Sequence, residues 1–325
     1  MLKKIICITG ATGFIGTDIL KKIDKKKFKI RVVTRNKLVK FDDEIEVIYG
    51  DLTKNDFPFE EFLNNSDCLL NCMGQIQNNK NLFISNVKSV SLLIQNLKKR
   101  QKSNKIFHWI QISSSGVYGA NLMSFSDEID INENSECSPK NPYEKSKYQA
   151  DLIIKETSNN NKLFKYTILR PTAVCDKEMP NQSLNNLIKL IKIKRFFYIG
   201  RPNSIANYIH RDDFTNAILL SLYDPKAYNE TYIVSSDCYW EEIINQIIYH
   251  LRIKYNIFRL PYSIGFVYVF LYKILIYKLK ILPNLENLMS RTRYENTKIT
   301  KELGFKLKKN VPNLMKELIS NILTV

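Results

Sequence analysis

Tyr143 and Lys147, in the run Asn141-Pro142-Tyr143-Glu144-Lys145-Ser146-Lys147, stand one helical turn apart. A phenol is a poor acid or base near neutrality, with an ordinary pKa of about 10. An ammonium four residues further along a helix stabilises the phenolate and is expected to draw that value toward the working range. By itself the pattern is common on exposed helix faces. Here two other elements precede it: a glycine loop, Thr9-Gly10-Ala11-Thr12-Gly13-Phe14-Ile15-Gly16, and a serine run, Ser113-Ser114-Ser115. In that order the three describe a nicotinamide-dependent redox enzyme. Ser114 falls just past a strand-like run, where its hydroxyl can bond a substrate oxygen and share a proton with Tyr143, polarising a carbonyl for hydride transfer. Ser114, Tyr143 and Lys147 are the expected catalytic group, and three adjacent serines leave the choice among them open on chemistry alone.

The glycine loop follows a β-branched run, Lys4 to Thr9, and opens an amphipathic stretch reaching about Lys25. Backbone N–H groups and the positive end of a helix dipole can meet a pyrophosphate there. Gly10 permits the tight turn, Gly13 the approach of phosphate and Gly16 close packing of the helix. The spacing is G-x-x-G-x-x-G, and Gly10, Thr12, Gly13, Phe14, Ile15 and Gly16 are all expected to contact a dinucleotide. NAD enzymes usually place an acid at the end of the second strand to bond the ribose hydroxyls. Here the strand ends Val33-Thr34-Arg35-Asn36-Lys37, and the first acid after it is Asp42. A cation suits a 2′-phosphate, so NADP is expected over NAD, read by Arg35. Asp51 and Leu52, after the third strand, are placed to meet the adenine edge. Asn71, Met73 and Gly74, ending the fourth, should lie beside the second ribose, which Lys147 would also hold.

The elements that must position these groups are legible in the hydrophobic pattern. Strands are expected at 4–9, 28–34, 45–49, 68–72, 106–113 and 164–169, with helices after the glycine loop, at 82–100 and at 143–157. Apolar strands alternating with helices give a parallel sheet covered on both faces, and right-handed crossovers make it doubly wound. The fold class is α/β, a Rossmann-type sheet with a smaller C-terminal substrate lobe. The dinucleotide domain is expected over 1–172, with a returning segment near 205–235, and the substrate lobe over 173–204 and 236–325.

At 325 residues and 44% hydrophobic content the chain has ample core for this. Its net charge of +17 suits an anionic partner, yet the basic residues do not gather into a tract interleaved with aromatics, so nucleic acid is not the expected one. The six cysteines are scattered without a metal or redox spacing, so free buried thiols are expected and no metal site. Met1-Leu-Lys-Lys-Ile-Ile runs straight into a strand, and a cytoplasmic location follows. One segment, Leu260 to Tyr272 and on to Lys278, is apolar for about a dozen residues, short of the roughly 20 that span a bilayer. A buried or interfacial helix is expected there, and peripheral membrane contact stays open.

The chain resembles the extended short-chain dehydrogenase/reductases, in particular the NAD-dependent epimerase/dehydratase family that modifies nucleotide sugars. The likeness rests on the glycine loop, Gly50-Asp51-Leu52, Asn86-Val87, Ser113-Ser114-Ser115-Gly116-Val117-Tyr118-Gly119, Tyr143 with Lys147, Leu169-Arg170-Pro171, Tyr208 to Asp213 and Lys298 to Phe305. It implies that Ser114 is the family's catalytic Ser/Thr. It also places Arg170 with the cofactor-binding residues, and Ser115, Arg201, Arg211 and Arg293 with the substrate; Arg291 is a further candidate for a diphosphate. Three departures narrow the reaction. The 4,6-dehydratases follow the Ser/Thr with Asp-Glu, whereas this chain has Ser115-Gly116. Ala173 stands where an Asn usually holds the diphosphate, and Ala206 where many epimerases carry Arg. These point to an NADP-linked reductase of 4-keto nucleotide sugars serving surface polysaccharide biosynthesis. The alternative is a 4-epimerase of UDP-hexoses or UDP-N-acetylhexosamines. A non-catalytic NADP-binding sensor is disfavoured by the intact Tyr143/Lys147 pair. The expected partners are a nucleotide-sugar substrate and a second copy of the chain in a homodimer.

Overall fold

The computed structural model describes residues 3–75, 81–98, 104–119, 128–261, 263 and 288–323. The apolar segment from Leu260 onward therefore lies almost wholly outside the described residues. Among those described, no helix is long and apolar enough to cross a membrane.

The strands, in chain order, are β1 Lys4–Thr9, β2 Phe28–Thr34, β3 Ile45–Tyr49, β4 Cys68–Asn71, β5 Phe107–Ile112, β6 Ile129–Ile131, β7 Phe164–Pro171, β8 Ala173–Cys175, β9 Tyr198–Ile199, β10 Ile205–Ala206, β11 Tyr208–His210, β12 Glu230–Val234, β13 Cys238–Tyr239, β14 Arg259–Leu260 and β15 Thr292–Tyr294. Seven of them form one sheet in the order β12-β7-β5-β4-β1-β2-β3. Every pairing in it is parallel. The direction of winding reverses between β1 and β4, which opens a crevice at their carboxyl ends, where doubly wound sheets bind ligands.

The helices are α1 Phe14–Lys22, α2 Phe59–Leu63, α3 Ser89–Leu97, α4 Pro142–Asn160, α5 Ser183–Lys192, α6 Arg211–Tyr223 and α7 Trp240–Leu251, with two later ones over Thr297–Leu303 and Leu314–Leu323. The expected helix from 82 starts as a π-turn over Ile84–Lys88 before α3. Helix α4 begins with a full capping box: Asn141 accepts from the Glu144 N–H, Glu144 accepts from the Asn141 N–H, and Pro142 fills the first turn. That cap fixes where Tyr143 and Lys147 point.

One apolar core lies between the sheet and α1 and α6, and another between the sheet's opposite face and α2, α3 and α4. A further core gathers α5, α7 and Leu314–Leu323 with Tyr208 and Trp240. The helix Thr297–Leu303 does not join that one; its Ile299 and Leu303, with Phe305, pack into the sheet's core. Strand β15 pairs with β6, bringing the C-terminal part of the chain over the turn that follows β5.

Candidate active site

A cleft of about 320 Å³ opens at the carboxyl ends of the sheet strands. It is lined by Gly10, Thr12 and Gly13, by Val33 to Asn36, by Gly50 to Thr53, by Cys72 to Gln75 and by Ser85. Gly10 has a left-handed backbone, φ +65°, and a Cβ on it would stand 2.7 Å from the Cys72 carbonyl. Only glycine can bring the loop this close to the end of β4. A Cβ on Gly16 would lie 2.2 Å from the Gly10 carbonyl, so the third glycine seats the helix on the loop. Among the described residues, the first turn of α1 has no side-chain cap and no acid. A loop so arranged, facing a crevice at the point of strand reversal, fits the pyrophosphate of a dinucleotide.

Of the expected cofactor residues, Gly10, Thr12, Gly13, Arg35, Asp51, Leu52, Met73 and Gly74 line this cleft. Arg35 is largely exposed, with Nη1 4.0 Å from Asp51 Oδ2. Burial works against ionising Asp51, but the Thr53 N–H and hydroxyl, Arg35 and Lys54 hold its carboxyl below the usual range. Other expected contacts do not reach the cleft. Asn71 is buried inside the sheet, where its side chain bonds Thr9 and Gln111. Ile15 and Gly16 face inward on α1, and Phe14 lies under the Arg211 guanidinium at 4.7 Å. Arg170 is 2% exposed and pairs with Asp151 at 3.1 Å and the Tyr118 hydroxyl at 2.9 Å, on the far side of the serine turn. Its place is structural, because the partners that neutralise it are packed around it.

The three serines diverge. Ser113 is buried and donates to Asp151 Oδ2 at 2.8 Å. Ser115 is buried and hydrogen-bonds the Tyr294 side chain from β15. Ser114, the cap of a short 3₁₀ turn over Ser115–Tyr118, meets the Tyr143 hydroxyl. The geometry thus separates residues that chemistry alone could not.

Lys147 is 4% exposed, and its Nζ donates to the Ile112 carbonyl at 3.0 Å. A Cβ on Gly74 would stand 2.8 Å from that Nζ, so the ammonium lies against the cleft wall beside the strand-reversal crevice. Burial pushes the Lys147 pKa down to about 8, opposed by the Asp151 carboxylate and Cys72. Burial also pushes Tyr143 above its ordinary range, despite the Ser114 hydrogen bond. The expected lowering of Tyr143 by Lys147 is not what the protein supplies: the ammonium points to the Ile112 carbonyl and Gly74, and Glu144 and Asp151 add negative charge near the phenol. In this arrangement burial favours the neutral phenol of Tyr143 over the phenolate.

The arginines expected to grip a substrate divide. Arg211 is buried between Asp176 at 2.9 Å and Glu178 at 3.1 Å, and is taken up by packing. Arg291 bonds Glu128 and the Pro202 carbonyl, and Arg293 lies near Glu128, Asp130 and the Tyr239 hydroxyl. Arg201 is exposed on the loop between β9 and β10. Arg259, not expected from the sequence, joins this region by bonding Glu241 and the Arg201 carbonyl. Asp151 and Tyr294 were also not anticipated. Asp151 had one signal, its place a helical turn after Lys147; Tyr294 had none, because a strand pairing far along the chain brings it in. Asp176, His210 and Asp212 approach one another closely enough to hold an ion, but Arg211, Lys22 and Lys309 already pair their carboxylates.

Ser114 and Tyr143 together can hold a substrate oxygen and exchange its proton, while Lys147 sets the charge beside them. A nicotinamide dinucleotide bound in the cleft would supply hydride exchange, with Gly10 to Gly13 on its phosphates and Arg35 and Asp51 at its outer end.

A family model described as the NAD dependent epimerase/dehydratase family matches residues 6–235. A curated relative, the N-acetyl-alpha-D-glucosaminyl-diphospho-ditrans,octacis-undecaprenol 4-epimerase of Escherichia coli O157:H7, is 24% identical over 267 residues, 80% of this chain and 76% of that protein. The fold is shared with the UDP-glucuronic acid 4-epimerase of Bacillus cereus in complex with NAD, at a TM-score of 0.72 and 15% identity over 98% and 99% of the two chains. It is also shared with RMD from Pseudomonas aeruginosa complexed with NADPH, at 0.68 and 16% over 99% and 100%.

Proposed function

The chain belongs to the NAD dependent epimerase/dehydratase family, and on that footing we propose that it oxidises and reduces C4 of a diphosphate-linked sugar, working as a 4-epimerase. The observation that carries this reading is the Ser114–Tyr143 hydrogen bond set beside Lys147 and Gly74 at the cleft wall. In the reaction Tyr143, in its minor phenolate form, takes the proton from the C4 hydroxyl and later returns it to the same oxygen, which Ser114 holds throughout; the removal of hydride from C4 and its return to the other face of the ketone would be supplied by the bound dinucleotide. Elimination of water needs a further acid or base. Ser115 and Gly116 offer none, and Glu144, whose side chain stands against Gly116, is held in the cap of α4. Residues 1–172, with the segment 205–235, form the dinucleotide-binding part in this reading, and 173–204 with 236–325 the sugar-binding part.

The curated relative's name supports a 4-epimerase with a polyprenol as the carrier of the sugar, while the Bacillus cereus 4-epimerase of the same fold is named for a UDP-linked sugar; both carriers are joined through a diphosphate. The second reading, a 4-keto-sugar reductase using NADPH, is favoured by Arg35 at the cleft rim, where no acid follows β2. One assay separates them. The purified protein is given UDP-N-acetylglucosamine, and separately polyprenyl-diphospho-N-acetylglucosamine in detergent, without added cofactor. Appearance of the galacto isomer from either supports epimerisation and identifies the carrier. No isomer, together with stoichiometric loss of NADPH absorbance on a 4-keto nucleotide sugar, replaces it with the reductase.

A further inference from the structure

Lys147 raises a problem of charge. A buried ammonium with a neutral carbonyl as its hydrogen-bond partner tends to lose its proton. The groups facing it are Cys72 from the end of β4 and, one turn further along α4, Asp151. Asp151 is 0% exposed, and its two oxygens are used differently. Oδ2 accepts from the Ser113 hydroxyl at 2.8 Å and from the Arg170 guanidinium at 3.1 and 3.3 Å. Oδ1 is buried with no hydrogen-bond partner among the described residues. The Arg170 guanidinium continues to the Tyr118 hydroxyl at 2.9 Å and lies 4.9 Å over its ring, at the far end of the serine turn. A single carboxylate thus ties the helix that carries Tyr143 and Lys147 to both ends of the turn that carries Ser114.

A buried ion pair of this kind is weak evidence of stabilisation, since apolar residues of the same volume often serve as well. Its placement beside a second buried cation suggests another use. We propose that Asp151 is the positioning carboxylate of this site: it is the counter-charge that lets Lys147 stay protonated in its buried seat, and the anchor that aims Ser114 at Tyr143. The charged and titratable groups around it are Lys147, Lys155 and Tyr143 on its own helix and Arg170 and Tyr166 from β7, and beyond Arg170 stand Tyr118 from the serine turn and Cys137 from the loop before α4. Arg170 is fully engaged by Asp151, Tyr118 and Cys137 and is not among the groups acting on Lys147.

The inference rests on Tyr143 and Lys147 being the proton-transfer pair, and its test is readable without any sugar. Lysines are labelled with ¹³C at Cε, and the Lys147 signal is identified by its loss in Lys147→Met. In the unaltered protein it should titrate near pH 8. Asp151→Asn should move that midpoint down the pH scale by about 1 or more, the scale of a lost neighbouring charge. Asp151→Glu should restore most of it. If Asp151→Asn does not fold, Asp151→Asn combined with Arg170→Gln removes the pair together and should still lower the midpoint. An unchanged or raised midpoint in the folded variant overturns the proposal, since a purely structural Asp151 would not move it. With an active substrate in hand, the alkaline limb of kcat should shift by the same amount.

Discussion

Gly74, just past the end of β4, and Lys147, on α4, meet closely: a Cβ on the glycine would sit 2.8 Å from the lysine Nζ. The glycine is therefore required by the ammonium, not by its own backbone. Gly74→Ala should push Nζ off the Ile112 carbonyl. A displacement on the order of 1 Å at a reacting group can lower turnover up to 10²-fold. We expect that loss in kcat with the unfolding midpoint nearly unchanged, measured by steady-state kinetics and thermal melting. Full turnover in the alanine variant would show that Lys147 does not need this seat.

Tyr143→Phe removes the proton donor and leaves its hydrophobic contacts. Turnover should fall by at least the 10²–10⁴-fold typical of general acid–base groups, with dinucleotide affinity nearly intact. Because Tyr143 is raised above its ordinary range and Lys147 titrates at about 8, the phenol stays protonated through neutrality. Loss of turnover above about pH 8 then reports Lys147. A variant keeping more than about a tenth of the activity is incompatible with Tyr143 as the acid.

Arg35, 4.0 Å from Asp51 at the mouth of the cleft, is the cation that suits a 2′-phosphate, while Asp51 is placed for the adenine edge. Arg35→Asp should weaken NADPH by roughly 2 kcal/mol, the scale of a lost charge-assisted hydrogen bond, and leave NADH unchanged or tighter. Calorimetry on both cofactors checks it. Equal losses for the two would mean that Arg35 does not meet the phosphate.

The sheet and the glycine loop were legible because both are written in local terms: strand periodicity, and three glycines with one positive φ, at Gly10. The Tyr143/Lys147 turn was legible for the same reason. Charge was not. Arg170 and Arg211 look in sequence like free cations aimed at a ligand, yet each is buried against an acid the sequence does not mark as its partner, Asp151 and Asp176. The lowering of Tyr143 by Lys147 failed likewise, because helical spacing gives a distance between Cα atoms and says nothing of the Ile112 carbonyl that takes the ammonium. Tyr294 was out of reach altogether, since its place depends on β15 pairing with β6 across more than half the chain.

Lys147 should also make the protein less stable than it could be. Its folded pKa of about 8 lies below the ordinary 10.5, so the fold prefers the neutral amine. Below pH 8 the lysine is protonated in both folded and unfolded chains, and the fold bears the whole penalty of a buried charge. Between about 8 and 10.5 the unfolded chain binds more protons than the folded one, so stability should rise with pH across that window, and the penalty is gone above it. Lys147→Met keeps the apolar stem and deletes the charge. Each tenfold loss of proton affinity on folding costs about 1.4 kcal/mol. Less the lost bond to Ile112, the gain at pH 7 should be on the order of 1–3 kcal/mol. Melting curves should show the variant above the unaltered protein at pH 7, the two converging as pH approaches 10.5, while turnover is lost at every pH. A lower midpoint for Lys147→Met at pH 7 would mean that Asp151 and Ile112 more than offset the burial of the ammonium.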